Sequence, residues 1–249
     1  MAIQATKNVL PVYNLRYSAF LGMLYVSTEA SEALIREAKA QVGESEVKKG
    51  ITGNIGESPS ARAVAALRAK GVTSSHVTGF LSSARVVDKI VDGRSTPYLQ
   101  IGLRDEAGRY YISVDLSQPA AQMAVRKLVN AEPGQFSQIE LFATFSQKEG
   151  ASRAFANHSC TLKQNGAEVV SVNPKDALVP RVESALQALE SAGVSPDDRE
   201  TFAKRRAKVT LDFHRELMDA VNQKFNDFYE KREISSETEE SSLKAAYTM

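Results

Sequence analysis

Between Gly79 and Asn173, apolar and polar positions alternate with a period of two, pause for a helical period, and then alternate again. The order they predict is strand, strand, strand, helix, strand, strand. The segments are "GFLSSARVVDKIV", "TPYLQIGLR", "RYYISVDL", the helical "AAQMAVRKLVNA", "FSQIELFATFSQ" and "RAFANHSCTLKQ". One helix between the third and fourth strands is the connectivity of a five-stranded Greek-key barrel of the OB type, a fold that presents a strand face to oligonucleotides. The expected class is α+β: a curved antiparallel sheet, β-β-β-α-β-β of the OB type or a variant of it, with N-terminal helices and a long C-terminal helix.

Side chains on a strand point alternately to opposite faces. On the second strand Leu99, Ile101 and Leu103 share the apolar face, which leaves Tyr98, Gln100, Gly102 and Arg104 outside. The third strand turns Tyr110, Ile112, Val114 and Leu116 inward and Arg109, Tyr111, Ser113 and Asp115 outward. The fourth turns Ile139, Leu141, Ala143 and Phe145 in, with Gln138, Glu140, Phe142 and Thr144 out. The fifth buries Ala154, Ala156, His158, Cys160 and Leu162, and displays Arg153, Phe155, Asn157, Ser159, Thr161 and Lys163. Each of these four strands thus leaves an aromatic on its polar face: Tyr98, Tyr111, Phe142 and Phe155.

Arg104, Arg109, Arg153 and Lys163 lie among those aromatics. Rings that stack on bases, interleaved with cations for phosphates, are what sequence-tolerant binding of single strands requires. The bland alternative is that a helix from the same chain covers the aromatics. The first strand admits more than one register, so Arg85 and Lys89 are weaker candidates. Asp115 and Glu140 share the face and would locally repel phosphate.

Residues 1–78 read as mostly helical, with "TEASEALIREAKAQV" carrying a stripe of Ala33, Leu34, Ala38 and Val42 and a second helix starting at Ser58-Pro59. Between them "KKGITGNIGES" is Gly-rich but lacks a P-loop ending, so it reads as a mobile surface loop, with contact to a DNA backbone through Lys48 and Lys49 as the alternative. Downstream, "PKDALVPRVESALQALESAG" predicts a helix ending at Gly193. Ser195 and Pro196 then open a long helix running to about Arg232. Its stripe of Phe202, Val209, Phe213, Leu217, Val221, Phe225 and Phe228 reads as an oligomerisation element, with docking on its own sheet as the alternative. The expected organisation is a core over 1–193, the long helix over 194–233 and a disordered acidic tail over 234–249.

Composition narrows the class without choosing a function. An apolar fraction of 43% and a charged fraction of 24% fit a globular chain with no membrane partner. A single cysteine, Cys160, excludes an internal disulfide and fits a reducing cytoplasm. A formal net charge of +1 requires that any binding to nucleic acid rest on segregated charges. His76, His158 and His214 have no metal-ligand spacing, so no metal, cofactor or catalytic residue is expected. The enzyme alternative is a metal-dependent nuclease built on Asp88, Asp115 and Glu140. Against it, Ser117 and Phe142 stand where a restriction-type core has its lysine. A third alternative is an assembly module without DNA affinity.

The stretch "YYISVDLSQPAAQMAVRKLVNAEPGQFSQIELFATF…FANHSCTLKQNGAEV" resembles phage-encoded single-stranded-DNA-binding proteins, most nearly the RNA polymerase cofactors of certain podoviruses. The likeness is strongest over 95–173. It implies preferential binding to single strands, a place in the host cytoplasm, recruitment of a phage RNA polymerase to opened promoter DNA, and a fold that departs from standard single-strand binders.

Overall fold

A computed structural model describes residues 10–42, 59–91, 93–147 and 154–246, with side chains for all of these except 145–147, 154–155 and 232–246. The Gly-rich segment with Lys48 and Lys49, together with Ser58 and Arg153, lies outside the described residues.

The chain runs β1 (Val12–Ser18), β2 (Met23–Val26), α1 (Glu29–Ala40), α2 (Pro59–Ala69), β3 (Thr73–Ser74), β4 (Val77–Val91), β5 (Arg94–Arg104) and β6 (Arg109–Asp115). Then come α3 (Pro119–Leu128), β7 (Phe136–Gln147), β8 (Ala154–Gln164), β9 (Ala167–Glu168), α4 (Pro174–Ser191) and α5 (Arg199–Ala246). All the strands belong to one curved, unclosed sheet in the order β3-β2-β1-β6-β5-β4-β7-β8-β9. The expected α+β class holds.

The OB-type topology expected from the sequence is not confirmed, because the sheet is unclosed. β4 pairs with both β5 and β7, β5 with β6, and β7 with β8. Among the described residues no β6–β8 ladder closes a barrel, and β1 occupies the free edge of β6 in parallel register. The N-terminal segment expected to be mostly helical therefore supplies three strands. Curvature brings the β1–β2 turn back toward β7, where Ala143 N–H donates to Gly22 O at 3.1 Å. Tyr17 on β1 shares a 2.7 Å hydrogen bond with His158 Nδ1 on β8. His158 is thus the hydrogen-bonded inward histidine that the alternation predicts.

Inward residues of β4 to β8 form one core with α3 and α5. Leu81, Leu99, Ile101, Ile112, Val114, Ile139, Leu141 and Leu162 are buried, and Ala121, Val125 and Leu128 of α3 pack among them. Met218, Val221 and Phe225 of α5 complete this core, so much of the long helix's apolar stripe is spent within its own chain. A second cluster joins Phe20, Leu21 and Tyr25 to Ile35, Ala38, Val64 and Leu67 of α1 and α2. The buried side of α1 is Ser31, Ile35 and Ala38, one step round from the expected stripe.

The long helix begins three residues later than predicted. Ser195 and Pro196 belong to a turn, and Asp198 Oδ1 accepts from Thr201 N–H at 3.1 Å as the cap. It continues to Ala246, through most of the segment expected to be a disordered tail, since no Gly or Pro follows Pro196 to break it.

Candidate nucleic-acid interface

Register across the sheet, rather than any single strand, assembles the site. Directly opposed residues in a ladder share a face. One row crosses five strands as Val12, Arg109, Arg104, Phe80 and Phe136, on β1, β6, β5, β4 and β7. Val12, Phe80 and Phe136 are 52%, 47% and 46% exposed, and both arginines are exposed. The two phenylalanine rings meet edge to face at 5.6 Å. At about 4.8 Å per strand, this row is about 19 Å long.

The next row is Asn14, Tyr111, Gly102 and Ser83. A bulge between Leu81 and Ser83 turns the neighbouring serines toward Gly102. A Cβ at Gly102 would lie 2.3 Å from Ser83 Oγ, 3.1 Å from Ser82 Oγ and 3.3 Å from Tyr111 Cε1. Only a residue without a side chain fits beneath them, and the half-buried Tyr111 ring reaches across it.

Beyond this the face is cationic. Arg16, Ser113, Gln100 and Arg85 form the third row, with Arg85 Nε donating to Gln100 Oε1 at 3.3 Å. Arg16 is paired with Glu32 of α1 at 3.2 Å. Lys89 Nζ donates to Ser113 Oγ at 2.8 Å and sits 4.7 Å over the Tyr98 ring. Desolvation, and secondarily the charge of Arg16, hold the Lys89 ammonium below its ordinary pKa. The Asp115 carboxylate is turned away from this cluster, accepting from Ser117 N–H at 2.8 Å and Ser117 Oγ at 2.7 Å. A cleft of about 460 Å3 closes this end, where α1 leans over Tyr98, Ser113 and Asp115.

The structure thus gathers Tyr98, Arg104, Arg109 and Tyr111 on one face. Lys163 joins them at the margin: it opposes Gln138, which opposes Thr78, one row from Phe136 and Phe80. Phe142 shares the face but lies past Ile139, the last β7 residue paired with β4, so it is set apart from Tyr98 and Tyr111. Its neighbour Ser159 donates to Met123 Sδ of α3 at 3.2 Å. Phe155 pairs with Ser146 through its backbone. Asp88 belongs to the opposite face, bound to Arg215 at 2.6 Å, so it does not converge with Asp115 and Glu140. Among the described residues no group of three His, Cys, Asp or Glu is placed to hold a metal ion.

Phe80 and Phe136 are the site residues that sequence reading passes over. Phe136 was within reach, because extending the outward series of Phe142, Glu140 and Gln138 by one step arrives at it. Compared with protein-family models, curated proteins and solved structures, the chain matches none. No helix among the described residues is long and apolar enough to cross a membrane.

Proposed function

We propose that this chain binds single-stranded DNA with little sequence preference, across the outer face of β1, β6, β5, β4 and β7. The observation that carries the reading is the row Arg109, Arg104, Phe80 and Phe136. Two exposed rings stand beside two exposed arginines that, among the described residues, have no acidic partner. A folded chain gains only about 0.2–1 kcal/mol from a half-exposed cross-strand phenylalanine pair, and like charges directly opposed on adjacent strands cost it a similar amount. Both are accounted for by a polyanion with stackable bases. Tyr111, Arg85 and Lys163 extend the surface to either side, and Tyr98 with Lys89 forms its far end. Little in this set reads base edges, so stacking and phosphate contact would carry affinity.

On the resemblance of residues 95–173, we extend the proposal to a viral transcription or replication cofactor that holds opened DNA and recruits a phage RNA polymerase. The test of the binding step is fluorescence anisotropy with labelled single-stranded and duplex oligonucleotides of one sequence, at two salt concentrations. Tight, salt-sensitive binding to the single strand and much weaker binding to duplex is expected. Equal affinity for duplex, or no binding to either, would overturn the reading.

A further inference from the structure

Helix α4 has 18 residues and buries none of them. It folds back on the first half of α5 through a turn at Gly193, whose φ of +84° suits glycine. Arg181 ties the two helices, bonding Glu216 at 2.5 Å and lying 5.4 Å over the Phe213 ring. The apolar positions of this helical hairpin are only half covered: Val182, Leu186 and Leu189 on α4, and Phe202 and Val209 on α5. Val179 is 41% exposed. Two helices alone cannot bury the stripes that make them amphipathic. Farther along, α5 spends Met218, Val221 and Phe225 on the core, so among the described residues the half-covered stretch that the two helices share is the hairpin.

Charge on the hairpin is sorted as well. Asp176, Glu183 and Glu190 recur every seven residues on α4, hence on one side of it. Arg199, Arg205 and Arg206 stand on α5. None of these six side chains forms an ion pair among the described residues, whereas Lys204 and Lys208 beside them are matched to Glu200 and Asp212. A row of free carboxylates on one helix and free arginines on the other is complementary to the same surface turned by a two-fold axis.

We propose that α4 and the first half of α5 are a homodimer interface, in which two copies pack their hairpins as a four-helix bundle with the acidic row of one facing the arginines of the other. An 18-residue helix is about 27 Å long, and two side by side present a face about 20 Å wide. That is on the order of the roughly 800 Å2 per partner of a standard stable interface. The occupant is a second copy of this chain, since the surface complements itself.

The test is the mass of the full chain by sedimentation velocity, without nucleic acid, so that it reads independently of DNA binding. The native chain is expected at twice 27.1 kDa. Asp176→Lys with Glu183→Lys and Glu190→Lys should raise the dimer dissociation constant by more than about tenfold, the scale of one lost interfacial charge contact. Adding Arg199→Glu, Arg205→Glu and Arg206→Glu should restore it. Val179→Asp, at a site exposed in the single chain, should also dissociate the dimer while leaving the circular dichroism spectrum intact. A native mass of one chain, or charge inversion with an unchanged dissociation constant, overturns the proposal.

Discussion

Replacing Arg104 with threonine should make the free protein more stable and a poorer binder. Arg104 and Arg109 oppose each other directly on β5 and β6, both exposed. Like charges in that position cost about 0.2–1 kcal/mol, and threonine is a good strand residue. In a domain of this size 1 kcal/mol moves Tm by about 2–4 °C, so a rise of about 0.5–4 °C is expected. Arg109→Thr should do the same. The double variant should gain little more, because either change alone relieves the whole repulsion.

Binding should move the opposite way and add. Each phosphate contact on a single strand contributes about 0.7 to the slope of log K against log salt. Each single variant should therefore flatten the slope by about 0.7, and the double variant by about 1.4. The assays are a thermal melt and an anisotropy titration at several salt concentrations, on the same preparations. A Tm that falls would refute the repulsion argument. A salt slope unchanged in the double variant would refute the placing of phosphate on this row.

Phe80→Ala and Phe136→Ala should each weaken single-strand binding by about 1–3 kcal/mol if a base lies on the ring, with melting nearly unchanged because both rings are exposed; isothermal titration alongside a melt checks both. Gly102→Ala should lower stability by about 1–3 kcal/mol, since its Cβ must displace Ser83 or the Tyr111 ring, and chemical denaturation measures this. His214 is 1% exposed, its Nδ1 bonds Thr210 O at 2.7 Å, and burial with the nearby Arg126 charge holds its pKa below the ordinary value. The unfolded chain then takes up the proton first, so stability should fall as pH drops below about 6.5, and His214→Gln should show a shallower fall in denaturation at several pH values. Burial pushes the Cys160 thiol up to about 12, so alkylation should be slow in the native chain and fast in denaturant.

How much of this was legible in the sequence turns on period and on pairing. The strand-strand-strand-helix-strand-strand run was legible because each strand from β5 to β8 keeps one alternation through the residues whose side chains are described. Leu99, Ile101, Ile112, Val114, Ile139, Leu141, Cys160 and Leu162 are buried where alternation put them. Edges were not legible. Nothing local in "VYNLRYS" says that it will lie parallel to a strand almost a hundred residues away, and that pairing is what keeps the sheet from closing.

The site was legible by strand and illegible by row, and β4 shows why. After Ser83 its odd residues face outward, with Arg85 opposite Gln100 and Val87 opposite Tyr98. Before the bulge an even residue does, with Phe80 opposite Arg104. No unbroken alternation can place Phe80, Arg85 and Lys89 on one face; one extra residue at Ser82 does so. The same bulge crowds Gly102 and leaves the Tyr111 ring the space above it. A slip of that residue back into register would turn Phe80 into the core and Leu81 out, so the bulge ties the stability of the sheet to the composition of its outer face. Deleting Ser82 instead leaves Leu81 opposite Leu103 and Ser83 opposite Gly102 in one unbroken alternation, so the deletion should keep Phe80 outward and preserve single-strand binding, whereas Phe80→Ala should weaken it. A folded Ser82 deletion that no longer bound single strands would refute this account of how β4 presents Phe80.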